Sequence, residues 1–153
     1  MAGIIAARTD TVGIAGVAYE GVRIMPVTVL DADGLGQDSD VIMGVLWAAD
    51  HGADVILMAF SNPGFSPNLQ DAIDYAWSRG VVLVAAVGND SSSAPTFPAG
   101  DRGVMGVSAT DATDNLASFS NNGLAVFLAA PGIDILTTNT GGTYGVLSGT
   151  STS

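Results

Sequence analysis

Three short polar segments follow apolar runs of the chain and carry side chains that can bind or activate small molecules. They are residues 31–36, 61–64 and 88–90, and the last contains Asn89. An amide such as Asn89 can donate a hydrogen bond to a ligand, and a serine hydroxyl, as at Ser151, becomes a nucleophile once a base removes its proton. Taken alone, each of these residues is also an ordinary turn residue. The helices and strands that position them therefore decide whether they act in binding or catalysis or only form turns.

The first segment contains Gly34 and Gly36 in a Gly-x-Gly pair before a predicted helix, a spacing found in loops that bind phosphate. A third glycine is absent, and Asp31, Asp33 and Asp38 stand in the same loop. Because carboxylates repel phosphate, the segment does not favour nucleotide binding.

The only histidine, His51, stands at the end of a predicted helix. A cation at a helix C-terminus is stabilised by the helix dipole, which is a sufficient structural reason for a histidine there. We therefore do not expect His51 to be a catalytic base.

Charge and composition exclude several classes of function. The chain has 4 Lys+Arg against 15 Asp+Glu, a net charge of −11, which disfavours nucleic-acid and membrane-surface partners. Its 48% hydrophobic and 12% charged residues are incompatible with a disordered chain. The absence of cysteine excludes a disulfide scaffold and thiolate metal sites. No segment has the features of a signal peptide or a membrane helix.

Apolar periodicity and capping residues predict two helices separated by strands. Ser39 is expected to cap a helix that ends at Gly52, and Ser66, followed by proline, to open a second that ends at Gly80. Apolar runs of strand length lie around them, at Val22–Leu30, Val55–Phe60, Val81–Val87, Val104–Ser108 and Ala125–Ala129. Their continuous apolar character is typical of strands that are covered on both faces.

The alternation of strands and helices predicts an α/β fold with a doubly wound, mostly parallel sheet and helices on both faces. Val55–Phe60 and Val81–Val87 are expected to be its central strands. Because ligands bind at the carboxyl ends of such strands, we expect Asn89 to share a cleft with Gly34-Leu35-Gly36. The whole chain, residues 1–153, is predicted to be one domain. Its first residues resemble a helix interior and its last a turn, so we expect this domain to be truncated at both ends.

Several segments, in their order and spacing, resemble the subtilisin-like serine proteases. The matching segments are 22–31, 39–49, 52–56, 85–90, 95–99, 107–110, 117–121, 129–132 and the final Ser148-Gly149-Thr150-Ser151. The resemblance implies the three-layer fold of that family and a serine endopeptidase, which hydrolyses peptide bonds through an acylated serine. It also implies a peptide or protein substrate.

The resemblance identifies Ser151 with the nucleophile and Asn89 with the side-chain donor of the oxyanion hole, and Thr150 is expected to support that hole. It places the substrate against Gly34, Leu35, Gly36, Ala59, Phe60, Ser61, Ala85, Ala86, Val87 and Gly88. The family needs no cofactor but often carries structural Ca²⁺. The Asp- and Asn-rich segment 111–122 offers oxygen ligands, yet it lacks the Asp-x-Asp-x-Asp-Gly pattern, so a solvated acidic loop is the default interpretation and no metal ligand is assigned.

Two departures from the family pattern bear on activity. The chain begins at Met1-Ala2-Gly3, inside the family's histidine motif, so the catalytic histidine and its orienting aspartate are expected to lie before residue 1. Ala59-Phe60-Ser61-Asn62 replaces Ser-Leu-Gly-Gly, which weakens the case for peptide pairing at that edge. The isolated chain is therefore expected to be inactive.

Two other functions stay open. One is a non-catalytic, self-associating chain, because loss of two central helices would expose apolar faces of the sheet and favour a homo-oligomer. The other, more distant, is a weak esterase that uses Ser151 with a different base. The family is commonly secreted, but no signal sequence is visible, and the cellular location is left open.

Overall fold

The computed structural model describes residues 1–153, which form three helices and six strands. The helices are α1 (Ala2–Ala6), α2 (Asp38–Asp50) and α3 (Pro67–Ser78). The strands are β1 (Val55–Met58), β2 (Val82–Ala86), β3 (Val104–Thr110), β4 (Leu128–Pro131), β5 (Ile135–Thr138) and β6 (Tyr144–Leu147). None of the helices combines the length and the apolar composition needed to cross a bilayer.

Strands β1 to β4 form a parallel sheet in that order, and β5 and β6 form a separate antiparallel hairpin. The predicted α/β class with a parallel sheet is thus confirmed. The prediction that Val55–Phe60 is central is wrong, because β1 is the edge strand and β2 and β3 occupy the centre. In the register of the pair, Met58 of β1 stands beside Ala85 of β2, so both strands reach the same carboxyl edge.

The hydrophobic core lies between this sheet and the two long helices. Helices α2 and α3 pack against each other, and α3 contacts β2. Ile73 of α3 and Leu83 of β2 are fully buried there, with Val45 of α2 beside them. Alternate residues of the strands point to the opposite face, where Val55 and Leu57 are 57% and 42% exposed. That second face is apolar and open.

The two helices begin by different means. Ser66 caps α3 as predicted, since its hydroxyl accepts a hydrogen bond from Leu69 N at 3.2 Å. Ser39 does not cap α2; it lies inside the helix, and the capping position is held by Gln37 without a side-chain hydrogen bond. Two carboxylates in the first turn, including Asp38, interact favourably with the helix dipole in the absence of a side-chain cap.

Two predicted strands differ in the structure. Val22–Leu30 forms no ladder, and part of it lies beside α2 instead: a methyl group on Gly44 would come within 2.6 Å of the Val29 side chain. The strand expected at Ala125–Ala129 begins at Leu128, because Val126 N donates to Gly123 O in a turn and delays the pairing with β3. The apolar composition of these two segments does not predict either difference.

Asp101 is a buried carboxyl without a partner. The residue is 5% exposed, and neither carboxyl oxygen has a hydrogen bond. Burial raises the pKa of Asp101 to about 6, and the nearby charges of Asp38 and Asp74 add to the shift. An ionised carboxylate without a donor is costly inside a protein, so the folded chain retains this proton to a higher pH than the unfolded chain does.

We expect Asp101→Asn to stabilise the chain at neutral pH. The unfolded chain ionises Asp101 near 3.8, below the folded value of about 6, so the penalty on the folded state develops between these values and is complete above pH 6. The variant should gain about 1–2 kcal/mol at pH 7.5 and little at pH 4, as measured by urea unfolding. The exposed Asp54→Asn is the charge-matched control. An unchanged free energy of unfolding at pH 7.5 would contradict this account.

Candidate active site

Ser151 lies in a turn that follows the β5–β6 hairpin. Thr152 N donates to Gly149 O at 3.0 Å and closes the turn, while Gly149 N donates to Gly132 O at 2.8 Å and holds it to the end of β4. The Ser151 hydroxyl is partly buried and donates to Ala59 O at 2.9 Å. The Ser151 N–H makes no hydrogen bond within the chain. The turn therefore presents both a hydroxyl and a free backbone donor.

Asn89 lies directly beyond β2 and is held by the same turn. Its Oδ1 accepts hydrogen bonds from Thr150 N at 2.9 Å and from Thr150 Oγ1 at 3.1 Å. Thr150 is buried, and its hydroxyl oxygen also accepts from Gly88 N at 3.1 Å. Both Thr150 donors bind the amide oxygen of Asn89, and the Nδ2 group of the same amide has no hydrogen-bond partner in the chain. Its two N–H groups therefore remain available as donors.

The backbone bends sharply at Gly88, where φ is +100°. A side chain there would meet Asn121 Nδ2 at 2.7 Å and Ser61 Oγ at 2.9 Å. Only glycine combines this conformation with such close neighbours, so the turn that presents Asn89 requires Gly88.

Asn121 is a structural residue of the site that the sequence pattern did not reveal. It is 1% exposed; its Nδ2 donates to Val87 O at 2.9 Å, and its Oδ1 accepts from Asp90 N at 2.9 Å and Ser92 N at 3.0 Å. One amide thus satisfies three backbone groups of the loop after β2. In the sequence it lies within segment 117–121, one of those that resemble the protease family, but neither that resemblance nor the polar composition of the segment distinguishes a buried amide from a solvated one.

The expected substrate residues after β1 and at the end of β2 meet around Gly88. Ala59 O holds the Ser151 hydroxyl, and Ser61 lies against Gly88. The side chains of Ala85 and Val87 belong to the hydrophobic core. The backbone of Val87 is paired as well, since its N–H donates to Val107 O and its carbonyl oxygen accepts from Thr96 Oγ1 and Asn121 Nδ2. The remaining two, Phe60 and Ala86, are respectively half-buried against that core and buried.

A cavity of about 500 Å³ opens beside Asn89. Seven of its ten lining residues have polar side chains, among them Ser61, Asn62, Asp90 and Asn121, and the other three are apolar. The backbone of Asn62 is already paired with Phe97 in both directions, at 2.9 and 2.8 Å, so it has no free group for an extended peptide. The cavity can therefore receive a side chain more readily than a strand.

Gly34, Leu35 and Gly36 do not lie in that cavity. Leu35 and Gly36 line a different one, of about 690 Å³, against α2, and Gly34 faces open space. Leu35 N donates to Asp31 Oδ1 and Leu35 O accepts from Asp31 N, both at 2.9 Å or less. Asp31 thus closes this loop upon itself, and the loop and Asn89 line two different cavities, so their sharing of one substrate cleft stays a prediction.

His51 is occupied at the end of α2. Its Nδ1 lies 2.7 Å from Trp47 O, and its ring stacks on the Trp47 ring with 3.9 Å between centroids. His51 precedes β1, whereas Ser151 is bonded to Ala59, which follows it. The two residues therefore lie toward opposite ends of this strand.

In the acidic loop after β3, the carboxylate of Asp111 is hydrogen-bonded within the loop itself. Asp111 accepts hydrogen bonds from the side chain and backbone of Thr113 and from the backbone and side chain of Asn115. These bonds, the Thr113 hydroxyl foremost, lower the pKa of Asp111 to about 2. No group of three or more His, Asp or Glu side chains is arranged to hold a metal ion.

Comparison with known proteins gives one consistent result. The profile of the Subtilase family matches residues 1–153. The chain is 45% identical over 152 residues to a thermophilic serine proteinase of Bacillus sp. (strain AK1), covering 99% of this chain and 38% of that protein. It is 40% identical to subtilisin BL of Lederbergia lenta and 44% identical to thermitase of Thermoactinomyces vulgaris, covering 99% and 98% of this chain.

These matches cover 56% of subtilisin BL and 54% of thermitase. The chain therefore spans between about two fifths and just over half of the length of these relatives.

We expect Thr150→Val to destabilise the chain even though the two side chains have nearly the same shape. The valine leaves Gly88 N without its acceptor and removes one donor from Asn89 Oδ1, and an unsatisfied buried N–H costs about 1–3 kcal/mol. Urea unfolding measures the loss, with the exposed Thr143→Val as the matched control. Equal stability of Thr150→Val and the wild type would contradict the role assigned to this hydroxyl.

Proposed function

The chain belongs to the subtilase family, and from that premise we propose that it carries the nucleophile and the oxyanion donors of a serine endopeptidase site. Ser151 is the nucleophile in this proposal. Asn89 Nδ2 and the Ser151 N–H bind the oxygen that becomes negative when the hydroxyl attacks a peptide carbonyl. Thr150 is a positioning residue that acts through Asn89.

The observation that carries the proposal is the pair of hydrogen bonds from Thr150 to Asn89 Oδ1. Because these bonds occupy the amide oxygen, the Nδ2 group of Asn89 is the part of the side chain that can donate to a substrate beside the serine turn. Donors that are already oriented need no rearrangement when charge develops, which is why such groups stabilise a transition state. The free N–H of Ser151 supplies a second donor on the same turn.

The proton of the Ser151 hydroxyl needs a base, and the described residues do not place one beside it. The hydroxyl is directed at Ala59 O, and the single histidine is engaged by Trp47. A complete peptidase site would take its base from residues other than these 153. Substrates are peptides or proteins, as the family implies.

A fluorophosphonate reagent tests the nucleophile and the oxyanion donor together. At pH 9, where hydroxide assists deprotonation, we expect one label, at Ser151, located by peptide mass mapping. Removal of one oxyanion donor from a complete subtilisin slows catalysis by about 10²–10³, a figure obtained on this family itself. In this chain, where the base is lacking, Asn89→Ala should slow labelling by about tenfold or more, and the exposed Asn139→Ala should not.

Labels spread evenly over several serines, or an Asn89→Ala rate equal to the wild type, would contradict the proposal. We expect no detectable hydrolysis of casein or of a peptide anilide by the 153-residue chain. Turnover that Ser151→Ala abolishes and His51→Ala preserves would show that another base acts on the serine.

A second function, self-association, is favoured by the open face of the sheet. Val55, Leu57, Val82 and Leu128 lie on that face and are between 37% and 57% exposed. An apolar surface of this kind is removed from water when two copies pair through it. The role proposed here is a non-catalytic assembly of copies of this chain.

We expect sedimentation equilibrium to show a mass above 15.3 kDa that falls on dilution. Val55→Lys places a charge on the open face and should shift the chain toward a monomer. Val146→Lys, on the hairpin at a similar exposure of 55%, is the matched control and should have no such effect. A single 15.3 kDa species at every concentration would refute self-association.

A further inference from the structure

We propose that Asn122 is a site of spontaneous covalent modification, at which its side-chain amide is converted to aspartate or isoaspartate through a cyclic imide formed with Gly123. This reaction needs neither Ser151 nor a bound substrate, so it is independent of the proposed function. It occurs next to Asn121, the buried amide that fixes the loop after β2.

The reaction requires a backbone nitrogen that reaches the side-chain carbon of the preceding residue. Hydroxide removes the proton of Gly123 N, and the nitrogen attacks Asn122 Cγ. An N–Cγ bond forms while the bond from Cγ to the amide nitrogen breaks, and that nitrogen takes a proton from water and leaves as ammonia. Water then opens the five-membered imide at either carbonyl. One product is aspartate, and the other, isoaspartate, has an additional carbon in the main chain.

Gly123 leaves its nitrogen accessible to this attack. The Gly123 N–H makes no hydrogen bond within the chain, and glycine has no side chain to hinder the approach. Its φ is +91°, and a methyl group there would come within 2.9 Å of Ser93 O, so the turn requires a glycine at this position. The fold itself therefore places a glycine after Asn122.

The Asn122 side chain is also unrestrained. The residue is partly exposed, and its side-chain amide makes no hydrogen bond within the chain. The main chain around it is anchored, since Asn122 N donates to Ser92 O at 2.9 Å and Gly123 O accepts from Val126 N at 3.2 Å. The side chain can therefore turn toward Gly123 N without breaking a contact.

The other six asparagines lack one or more of these features. In three of them the next backbone N–H is already hydrogen-bonded, namely Asn68, Asn89 and Asn121. Asn62 precedes a proline, which has no N–H to deprotonate. The remaining two, Asn115 and Asn139, precede leucine and threonine, whose side chains hinder the attack. Only Asn122 is followed by glycine, so we expect the reaction at this residue alone.

Both products add a negative charge beside Asn121, and isoaspartate also lengthens the main chain there. Asn121 Oδ1 accepts from Asp90 N at 2.9 Å and from Ser92 N at 3.0 Å, so its position depends on the main chain that follows it. We therefore expect isoaspartate at position 122 to loosen the loop after β2 more than aspartate does.

Incubation of the whole chain in H₂¹⁸O, followed by digestion in ordinary water and mass mapping, tests the site. We expect one ¹⁸O atom to enter, at residue 122, and the rate to rise about tenfold from pH 7 to pH 8, as the hydroxide concentration does. Asn122→Gln would have to close a six-membered ring and should lose the label, whereas Asn115→Gln, the matched control, should keep it. Uptake spread over several asparagines, uptake at another residue, or no uptake would overturn the proposal.

Hydrogen exchange tests the effect on the loop after β2. The amides of Asp90 and Ser92 should exchange faster in the isoaspartate form than in the unmodified chain. Asn122→Asp adds the charge without the additional carbon and should retain most of the protection. Equal exchange at these two amides in the isoaspartate form and the unmodified chain would contradict the link between position 122 and this loop.

Discussion

Both hydrogen bonds that Thr150 donates end on one atom, the amide oxygen of Asn89, and the arrangement of the site depends on them. They join residues 61 positions apart in the chain, where β2 ends and where the serine turn begins. Thr150 is 2% exposed, so its bonds are shielded from competing water. Because the same hydroxyl accepts from Gly88 N, a single threonine positions the backbone before Asn89 and the side chain of Asn89 together.

The sheet and its helices supply the rigidity that this contact needs. The pairing of Met58 with Ala85 brings the ends of β1 and β2 to one edge, so Ala59 and Gly88 both reach the serine turn. Ile73 and Leu83, fully buried beneath that edge, prevent the strands from sliding without opening the core. Asn121 pairs three backbone groups on either side of Asn89, namely Val87 O, Asp90 N and Ser92 N, and so fixes the loop without using the Asn89 side chain.

The features that sequence predicts here are those fixed by near neighbours in the chain. Ser66 followed by proline begins α3 as expected, and the apolar runs that became β2 and β3 were recognisable. Pairing partners are not a local property: β1 has the composition of a central strand and lies at an edge. Asn121 acts on the loop after β2 from about thirty residues away, and no spacing rule links the two.

Two consecutive residues after β2, Asn89 and Asp90, are held by different parts of the chain. Asn89 is tied to the serine turn, whereas Asp90 is tied through its backbone to Asn121 in a different loop. The Asn89 side chain and the Asp90 backbone are thus held by different partners, so we expect a side-chain change at position 90 to leave the Thr150 contacts in place. Asn89, which both binds Thr150 and lines the cavity, cannot vary in the same way. The charge at the end of β2 can therefore change without disturbing the hydrogen bonds that fix Asn89 and Thr150 to each other.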